Sequence, residues 1–299
     1  MGTPEFARAP LERLYGDGHD IAGVITQPDR PSNRGMKVHF SPVKELALSH
    51  GTPVFQPKTL RDGEASETIR KLDCELIIVV AYGKILPPEM LEIPPLGAVN
   101  IHGSLLPKYR GAAPIQWAVL NGEKETGVTS MYMAEELDAG DILLTKKTEI
   151  GRDETAGELY DRLAVIGAGL LTETVAAISR GEAAPIPQNH NEATFAPPLT
   201  KEMSSIDWAD TAHNIRCKIR GLNPWPIATT ELNGTVYKVF RAETGSKRAV
   251  KAPGGIVSFG RHGLEMSCAD GTVIIKEMQA PGGKRMATAD YLRGHGNFK

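Results

Sequence analysis

The stretch AVNIHGSLLPKYRGAAPIQWAVLNG, residues 98–122, changes its pattern twice. An apolar run ends in Asn100 and His102, a loop containing Gly, Pro and Arg follows, and a helix-like run completes the stretch. In a β-strand, residues i and i+2 point to the same side, so Asn100 and His102 project together where Gly103 ends the strand. Open parallel sheets bind ligands at the carboxyl ends of their strands. The stretch therefore predicts a strand–loop–helix unit with two polar side chains at a ligand-binding edge.

Strand-like and helix-like segments alternate on both sides of this stretch, up to about residue 180. The predicted strands are DIAGVITQ, ELIIVVAYG (75–83) and VTSMYMAE. One predicted helix begins at Ser41-Pro42, and another covers roughly 61–72. A third is the segment APIQWAVLNG itself, and a long fourth runs from Asp153 to about Ser179. This alternation is typical of an α/β fold with a doubly wound, mostly parallel sheet. We therefore expect a Rossmann-like domain over residues 1–180.

The pattern changes after residue 180. Residues 181–200, GEAAPIPQNHNEATFAPPLT, contain four prolines and little periodicity, which predicts a linker. Beyond it, a short helix near 210–220 precedes brief strand-like runs with Asn233-Gly234 and Asp270-Gly271, both typical of hairpin turns. Several short strands at close spacing indicate a small β-barrel over residues 201–299.

Composition and charge narrow the classes of protein. The chain of 299 residues is 41% apolar and 23% charged, and its three cysteines have no CxxC spacing. A reduced, cytoplasmic protein without structural zinc fits these values, and no apolar run suggests a membrane span. Residues 200–299 hold 15 Lys and Arg against 9 Asp and Glu, a local charge of +6 on a chain of net charge −2. This basic part is either an ordinary solvated surface or a site for an anionic partner.

The polar pair on the central strand suits proton transfer. Asn100 offers an amide donor, and His102 can donate, accept or carry a proton near neutral pH. The loop EELDAGDILL (135–144) adds Asp138 and Asp141, and an acidic group there could orient an imidazole. Alternatively, His102 is a hydrogen-bonded core residue and the loop an ordinary turn. Nothing in the spacing alone pairs Asp138 with His102.

Other site types are poorly supported by the sequence. It contains no GxGxxG, GxxxxGK[ST] or HExxH motif, and Ser104 does not lie in a GxSxG elbow. The segment TQPDRPSNRGMKVHFSPVK (26–44) is long, polar and basic. It is either a solvated loop or a loop that grips phosphates at the active edge of the sheet.

Taken together, these segments resemble the folate-dependent formyltransferase family. NIHGSLLPKYRGAAPIQWA with LDAGD matches the signature of that family. QPDRPSNRGMKVHFSPVK, VVAYGKILP, IDW (206–208) and GLNPWPIA (221–228) are similar to its branch that acts on tRNA. The resemblance covers essentially the whole chain.

The resemblance implies a reaction and a catalytic trio. The donor would be 10-formyltetrahydrofolate, the acceptor the free amino group of methionyl-initiator tRNA, and no metal would take part. The amine would attack the formyl carbon, while Asn100 and protonated His102 stabilise the oxyanion. Asp138 would hold His102 and help relay the proton of the amine.

The resemblance also implies which residues meet the two substrates. The folate contacts would be Ala81, Tyr82, Gly83, Ile85, Leu86, Ser104, Leu105, Leu106, Pro107 and Asp141. The tRNA contacts would be Arg30, Arg34, Lys37 and Lys44, in a loop that inserts at the acceptor end. The C-terminal part would be an OB-like barrel whose basic surface contacts phosphates, and the protein would be a monomer.

Members of this family usually carry a short apolar strand before the segment that corresponds to GTPEFA. We therefore expect the coding sequence to continue upstream of Met1, and GHGNFK to end a few residues early. A stop codon directly before Met1 would contradict the first expectation.

Three other functions remain open from the sequence. A sugar-nucleotide formyltransferase would share the catalytic core but would have no use for the basic 26–44 loop. A formyl-folate hydrolase would need neither that loop nor the barrel. A non-catalytic protein that binds RNA or folate would keep the surfaces without the chemistry.

Overall fold

The computed structural model describes residues 1–32, 37–246, 248–249 and 251–295, with the backbone alone for residues 30–32, 37 and 38. Its helices are α1 (Glu5–Gly16), α2 (Pro42–Ser49), α3 (Glu64–Leu72), α4 (Pro88–Leu91), α5 (Pro114–Leu120), α6 (Ala156–Ser179), α7 (Ala212–Gly221) and α8 (Thr288–His295). Its strands are β1 (Val24–Ile25), β2 (Arg30–Ser32), β3 (Lys37–His39), β4 (Val54–Phe55), β5 (Ile77–Val79), β6 (Ala98–His102), β7 (Arg110–Gly111), β8 (Glu125–Tyr132), β9 (Ile142–Glu149), β10 (Phe195–Ala196), β11 (Ala228–Leu232), β12 (Thr235–Thr244), β13 (Ile256–Gly260), β14 (Gly263–Ser267), β15 (Thr272–Gln279) and β16 (Met286–Ala287).

The chain divides into two compact units. The first consists of Met1–Pro114, Glu125–Glu149 and Tyr160–Ala196. The second consists of Ile115–Lys124, Ile150–Leu159 and Pro197–Lys299.

The first unit has the predicted Rossmann-like α/β architecture. Strands β1 and β4 pair in parallel, and a four-stranded sheet has the order β5-β6-β8-β9. Strand β5 runs parallel to β6, as the strand–helix alternation predicts. Strand β8 runs antiparallel to its neighbour β6, and β9 runs antiparallel to its neighbour β8. Strand β9 was not predicted. Leu143 is buried, the positions after it alternate between half-buried and exposed, and Thr145 and Lys147 are exposed, the pattern of an antiparallel strand with one solvated face.

The first two residues lie between β1 and β5. Gly2 forms a parallel bridge with Val80, and its N–H donates to the carbonyl of Ile25 at 3.0 Å. A Cβ on Gly2 would lie 2.6 Å from the Cβ of Ala7 and 2.8 Å from the oxygen of Val80. A side chain has no room at this position, so glycine allows the chain to pass between the two strands.

Helix α6 covers one face of the central strands. A Cβ on Gly167 would lie 3.2 Å from Cγ2 of Ile101 on β6, so the helix backbone approaches the sheet closely. On the same helix, the hydroxyl of Thr174 is 2.8 Å from that of Ser130 on β8. Among the described residues, α6 is the one helix whose 24 residues are long and apolar enough to span a membrane. Half of its most apolar stretch is buried within the protein, as in a core helix.

The second unit is built on an antiparallel sheet. Its strand order is β11-β12-β15-β14-β13, with β16 paired to β15, and the sheet is not closed within the described residues. This agrees with a small barrel-like domain. Asn233 and Gly234 form the predicted two-residue turn, with φ values of +50° and +75°. The second predicted turn differs, because Ser267 pairs with Thr272 and Asp270-Gly271 therefore belong to a longer loop.

The packing of α6 yields a stability prediction. Leu170 is fully buried on α6, and Val165 on the same helix is 69% exposed. Leu170→Ala should lower the free energy of unfolding by about 2–5 kcal/mol, because it leaves a cavity in the core. Val165→Ala should change it by no more than about 0.5 kcal/mol. Urea denaturation followed by circular dichroism measures both, and equal effects would contradict the assignment of these faces.

Candidate active site

Strand β6 separates its polar and apolar side chains between the two faces of the sheet. Ile101 lies against α6, so the alternate residues Asn100 and His102 lie on the opposite face. His102 is only 6% exposed, and Asn100 is half-buried. The side-chain oxygen of Asn100 is buried and has no hydrogen-bond partner in the part of the chain that the structure describes. A buried amide oxygen without a hydrogen bond lowers the free energy of unfolding. This oxygen is therefore available to accept a hydrogen bond from a ligand.

The imidazole of His102 is held in one tautomer. Its Nε2 lies 2.9 Å from the main-chain carbonyl oxygen of Tyr109. A carbonyl oxygen can only accept, so Nε2 carries the proton and donates it to Tyr109. Nδ1 lies 3.6 Å from Oδ2 of Asp138. Nδ1 is therefore the nitrogen that carries no proton in the neutral ring, and it faces the Asp138 carboxylate.

The carboxylate of Asp138 is held by the main chain. The N–H of Gly111 donates to Oδ2 of Asp138 at 2.8 Å. Asp138 itself has a φ of +50°, a left-handed conformation that a non-glycine residue adopts only when its surroundings enforce it. A Cβ on Gly140 would lie 1.8 Å from the carbonyl oxygen of Tyr132, so no other residue fits there without moving the loop.

The geometry thus brings together the three residues of the predicted trio. Asn100 and His102 share a strand face, and Asp138 reaches His102 within ion-pair distance. An amide, an imidazole with one free nitrogen and a carboxylate can stabilise a developing oxyanion and move a proton beside it.

The 81–86 segment, predicted to contact folate, has both buried and exposed side chains. Tyr82 and Leu86 are buried, whereas Ile85 is 68% exposed. Ala81 has a φ of +45°, and the carbonyl oxygen of Tyr82 accepts a hydrogen bond from Nε2 of Gln27 at 2.9 Å. Burial raises the pKa of the Tyr82 phenol to about 12, so this residue stays neutral at physiological pH. Its hydroxyl has no hydrogen-bond partner.

The segment after His102 is fixed to the neighbouring strand. The hydroxyl of Thr129 donates to the carbonyl oxygen of Ser104 at 2.7 Å and accepts from the N–H of Leu106 at 3.2 Å. Leu105 and Pro107, both half-buried, complete the predicted wall of the site. These contacts make Ser104 and Leu106 part of a rigid turn.

Asp141 closes the LDAGD loop through its main chain. Its carbonyl oxygen accepts from the N–H of Tyr132 at 2.9 Å. The side chain is half-buried. Asp141 is thus fixed at the end of the loop that carries Asp138.

Three of the four predicted tRNA contacts, Arg30, Lys37 and Lys44, lie on or beside the hairpin β2–β3. Arg34 falls outside the described residues, and for Arg30 and Lys37 only the backbone is described, Arg30 paired with His39 and Lys37 with Ser32. The Lys44 ammonium forms an ion pair with Asp29, the residue directly before β2.

Lys44 is engaged by several neighbours. Its ammonium donates to Oε1 of Gln56 at 2.8 Å and lies 4.0 Å from the centre of the Phe40 ring. Hydrogen bonds from Lys44 and Gln56 hold the pKa of the Asp29 carboxyl below its usual value. Lys44 therefore fixes the base of the hairpin in this conformation.

Sequence reasoning missed the groups that hold the trio. The carbonyl of Tyr109 and the N–H of Gly111 are main-chain groups, which a side-chain motif does not reveal. Gln188, which contacts the Asp138 loop, is 50 positions away from Asp138. The sequence offers no spacing signal for these contacts. Among the described residues, no three His, Cys, Asp or Glu side chains are grouped as metal ligands.

Comparison with known proteins shows the family of this chain. The formyl transferase family matches residues 1–175, and the C-terminal domain of formyl transferases matches residues 198–296. The chain belongs to the formyl transferase family. A methionyl-tRNA formyltransferase from Alkaliphilus oremlandii is 49% identical over 295 residues, 99% of this chain and 95% of that protein.

Two solved structures share the fold. The sugar 3N-formyl transferase WlaRD, determined with dTDP and 5-N-formyl-THF, superposes with a TM-score of 0.69 at 18% identity, over 92% of this chain and 94% of that one. HypX from Aquifex aeolicus in complex with tetrahydrofolic acid gives a TM-score of 0.61 at 20% identity and covers 90% of this chain. The match spans 46% of the length of HypX. At these identities the two structures show the shared fold alone.

Gly140 provides a test of the loop geometry. Gly140→Ala should displace the loop of Asp138 because the new methyl group would overlap the carbonyl oxygen of Tyr132. The N–H of Gly111 would then lose its acceptor, and its hydrogen exchange, measured by NMR, should become faster. Gly169→Ala in α6 is the control, since its Cβ would meet only a lysine terminus 4.0 Å away. Unchanged exchange at Gly111 in the Gly140 variant would contradict this geometry.

Proposed function

We propose that the site formed by Asn100, His102 and Asp138 performs the formyl transfer of this protein. The protein transfers a formyl group from 10-formyltetrahydrofolate to the free amino group of methionyl-initiator tRNA, giving N-formylmethionyl-tRNA for translation initiation. The observation that carries the assignment of the site is the position of Nδ1 of His102, which lies 3.6 Å from the Asp138 carboxylate and has no other partner among the described residues.

Asn100 and His102 stabilise the negative charge that develops on the formyl oxygen. The amide of Asn100 lies on the same face of β6 as His102, whose ring is held by Tyr109. Such preorganised donors contribute more in a water-poor site, because they need no reorganisation during the reaction. Nδ1 donates to the oxygen when His102 is protonated.

Asp138 supports the proton transfer. Its carboxylate lies beside His102 and accepts the proton that the attacking amine must lose. It returns this proton to the folate nitrogen as the bond between that nitrogen and the formyl carbon breaks. The Gly111 N–H keeps one carboxylate oxygen in place during this exchange.

The residues present suit a folate donor. The unpartnered oxygen of Asn100 and the unpartnered hydroxyl of Tyr82 are buried polar atoms that a polar ligand can satisfy. The exposed Ile85 offers apolar surface for a planar ring system. Ala81, Gly83, Leu86, Ser104 to Pro107 and Asp141 complete the proposed folate site.

The basic hairpin and the basic C-terminal part suit the tRNA. Arg30, Arg34 and Lys37 belong to the basic segment 26–44, and residues 200–299 carry the excess of 15 basic over 9 acidic side chains. Cationic side chains on phosphates provide most of the sequence-independent affinity for RNA. Lys44 serves this surface by fixing the base of the hairpin.

The remaining expectations concern the setting of the protein. We propose a cytoplasmic monomer that does not bind membranes, with its catalytic domain over residues 1–180 and its tRNA-binding domain over 201–299. The three cysteines are all free, which agrees with a reducing compartment. Light scattering of the purified protein measures its molar mass, which is 32.3 kDa for a monomer.

A formylation assay tests the reaction and its site together. Wild-type protein, 10-formyltetrahydrofolate and charged initiator tRNA should give formyl-methionine product. His102→Ala should lower kcat by about 10²–10⁴-fold, and Asn100→Ala by about 10²–10³-fold, with the affinities for folate and tRNA little changed. His19→Ala, an exposed histidine, is the control and should keep full activity.

The absence of product with wild-type protein would exclude this function, and binding without turnover would favour a non-catalytic role. A wild-type rate in the His102 variant would exclude only the site assignment.

Arg34 tests the proposed tRNA surface. Arg34→Ala should raise the KM for tRNA and reduce the steepness of its salt dependence by about one unit, since one phosphate contact is lost. Hydrolytic turnover of the formyl donor should be largely spared. Equal losses of transfer and of donor hydrolysis would contradict the assignment.

A further inference from the structure

Gln188 makes buried contacts to the loop that carries Asp138. It lies in the segment after α6, and only 6% of it is exposed. Its side-chain Nε2 donates to the carbonyl oxygen of Asp138 at 2.9 Å and to that of Gly140 at 2.7 Å. These are the two hydrogen bonds that an amide NH2 group can donate, and both are made to the loop of the proposed catalytic carboxylate.

The acceptor side of the same amide is bound to Arg110. Oε1 of Gln188 accepts from Nη2 of Arg110 at 2.7 Å and from Nε at 3.2 Å. Arg110 is 4% exposed. A buried guanidinium needs acceptors, so Gln188 and Arg110 restrict each other to one geometry.

Arg110 lies between the two main-chain groups that hold the proposed catalytic side chains. On one side, the carbonyl of Tyr109 accepts from His102. On the other, the N–H of Gly111 donates to Asp138. Hydrogen bonds, together with the peptide bond between Tyr109 and Arg110, therefore connect His102 to Gln188 and Asp138.

The segment of Gln188 is itself fixed to the first unit. Ile186 forms a bridge with Ile142, and β10 pairs in parallel with β7, with Phe195 opposite Arg110. The hydroxyl of Thr194 accepts from the N–H of Tyr109 at 2.9 Å. Gln188 thus contacts the loop from a segment anchored on both sides.

We propose that Gln188 is a positioning residue for the formyl transfer, which holds the carboxylate of Asp138 at His102 by binding the main chain of the 138–140 loop. Asp138 is held at both ends, its carboxylate by Gly111 and its main-chain carbonyl by Gln188. The φ of +50° at Asp138 is disfavoured, so the conformation depends on such contacts. This inference rests on the proposed role of Asp138 and extends it to the segment after α6.

Gln188→Glu separates positioning from stability. The substitution keeps the size of the side chain and an acceptor for Arg110, but removes both donors to the loop. We expect kcat to fall about 10–100-fold, because small misplacements of a catalytic group have effects of this size. The KM values for the formyl donor and for tRNA should stay within about threefold of wild type, since Gln188 binds neither substrate.

Two controls accompany this variant. Thr174→Val removes a buried hydrogen bond in α6, away from the 138–140 loop, and should lower the melting temperature without changing kcat. In an Asp138→Ala background, Gln188→Glu should have little further effect on kcat, because both substitutions affect the same group.

Hydrogen exchange at the Gly111 N–H supplies a measurement that does not depend on activity. Gln188→Glu should accelerate it, since the acceptor on Asp138 moves. Gln188→Met, which also removes both donors, gives the same comparison if Gln188→Glu does not fold.

A wild-type kcat with unchanged exchange at Gly111 would overturn the proposal, as would a full additional loss of kcat in the Asp138→Ala background. A wild-type protein without formylation activity would instead contradict the proposed function, and the exchange measurement would still decide the role of Gln188.

Discussion

The hydrogen bond from Nε2 of His102 to the carbonyl of Tyr109 is the interaction on which the site depends. It fixes the tautomer, the orientation of the ring and the identity of the nitrogen that faces Asp138. The rest of the site is built around that nitrogen. Strand β6 supplies Asn100 on the same face, and the close approach of α6 at Gly167 fixes the strand from behind. A catalytic group on a strand packed in this way loses little entropy when the substrates bind.

Charge is distributed differently in the catalytic site and on the proposed tRNA surface. In the site, the charged groups are few and are held mainly by main-chain donors and acceptors. On the hairpin side, the described ammonium of Lys44 is already paired with Asp29. This pairing leaves the proposed contacts to phosphate to the other basic residues of the segment. It also fixes the base of the hairpin.

The sequence predicted the side chains of the site better than the contacts that hold them. Strand parity placed Asn100 and His102 on one face, and this required only the alternation of a single strand. The pairing of Asp138 with His102 came from family resemblance, because a residue on a strand and a residue in a distant loop meet only through tertiary structure. Gln188 was hidden inside a proline-rich segment that reads as a linker. The strand β9 was missed for a related reason, since its Thr and Lys residues resemble a polar loop until they are paired with β8.

The anchored segment after α6 limits how this protein can vary. Most side chains between residues 181 and 187 are exposed, and surface loops of this composition usually tolerate insertions and deletions. Here the bridge at Ile186 and the amide of Gln188 set a register between the end of α6 and β10. One residue more or fewer would move the amide away from the 138–140 loop, although no core side chain would change. The exposed side chains of this segment would therefore suggest a site for an inserted tag that the protein does not tolerate. We expect homologous proteins to vary less in the length of this segment than in its amino-acid sequence.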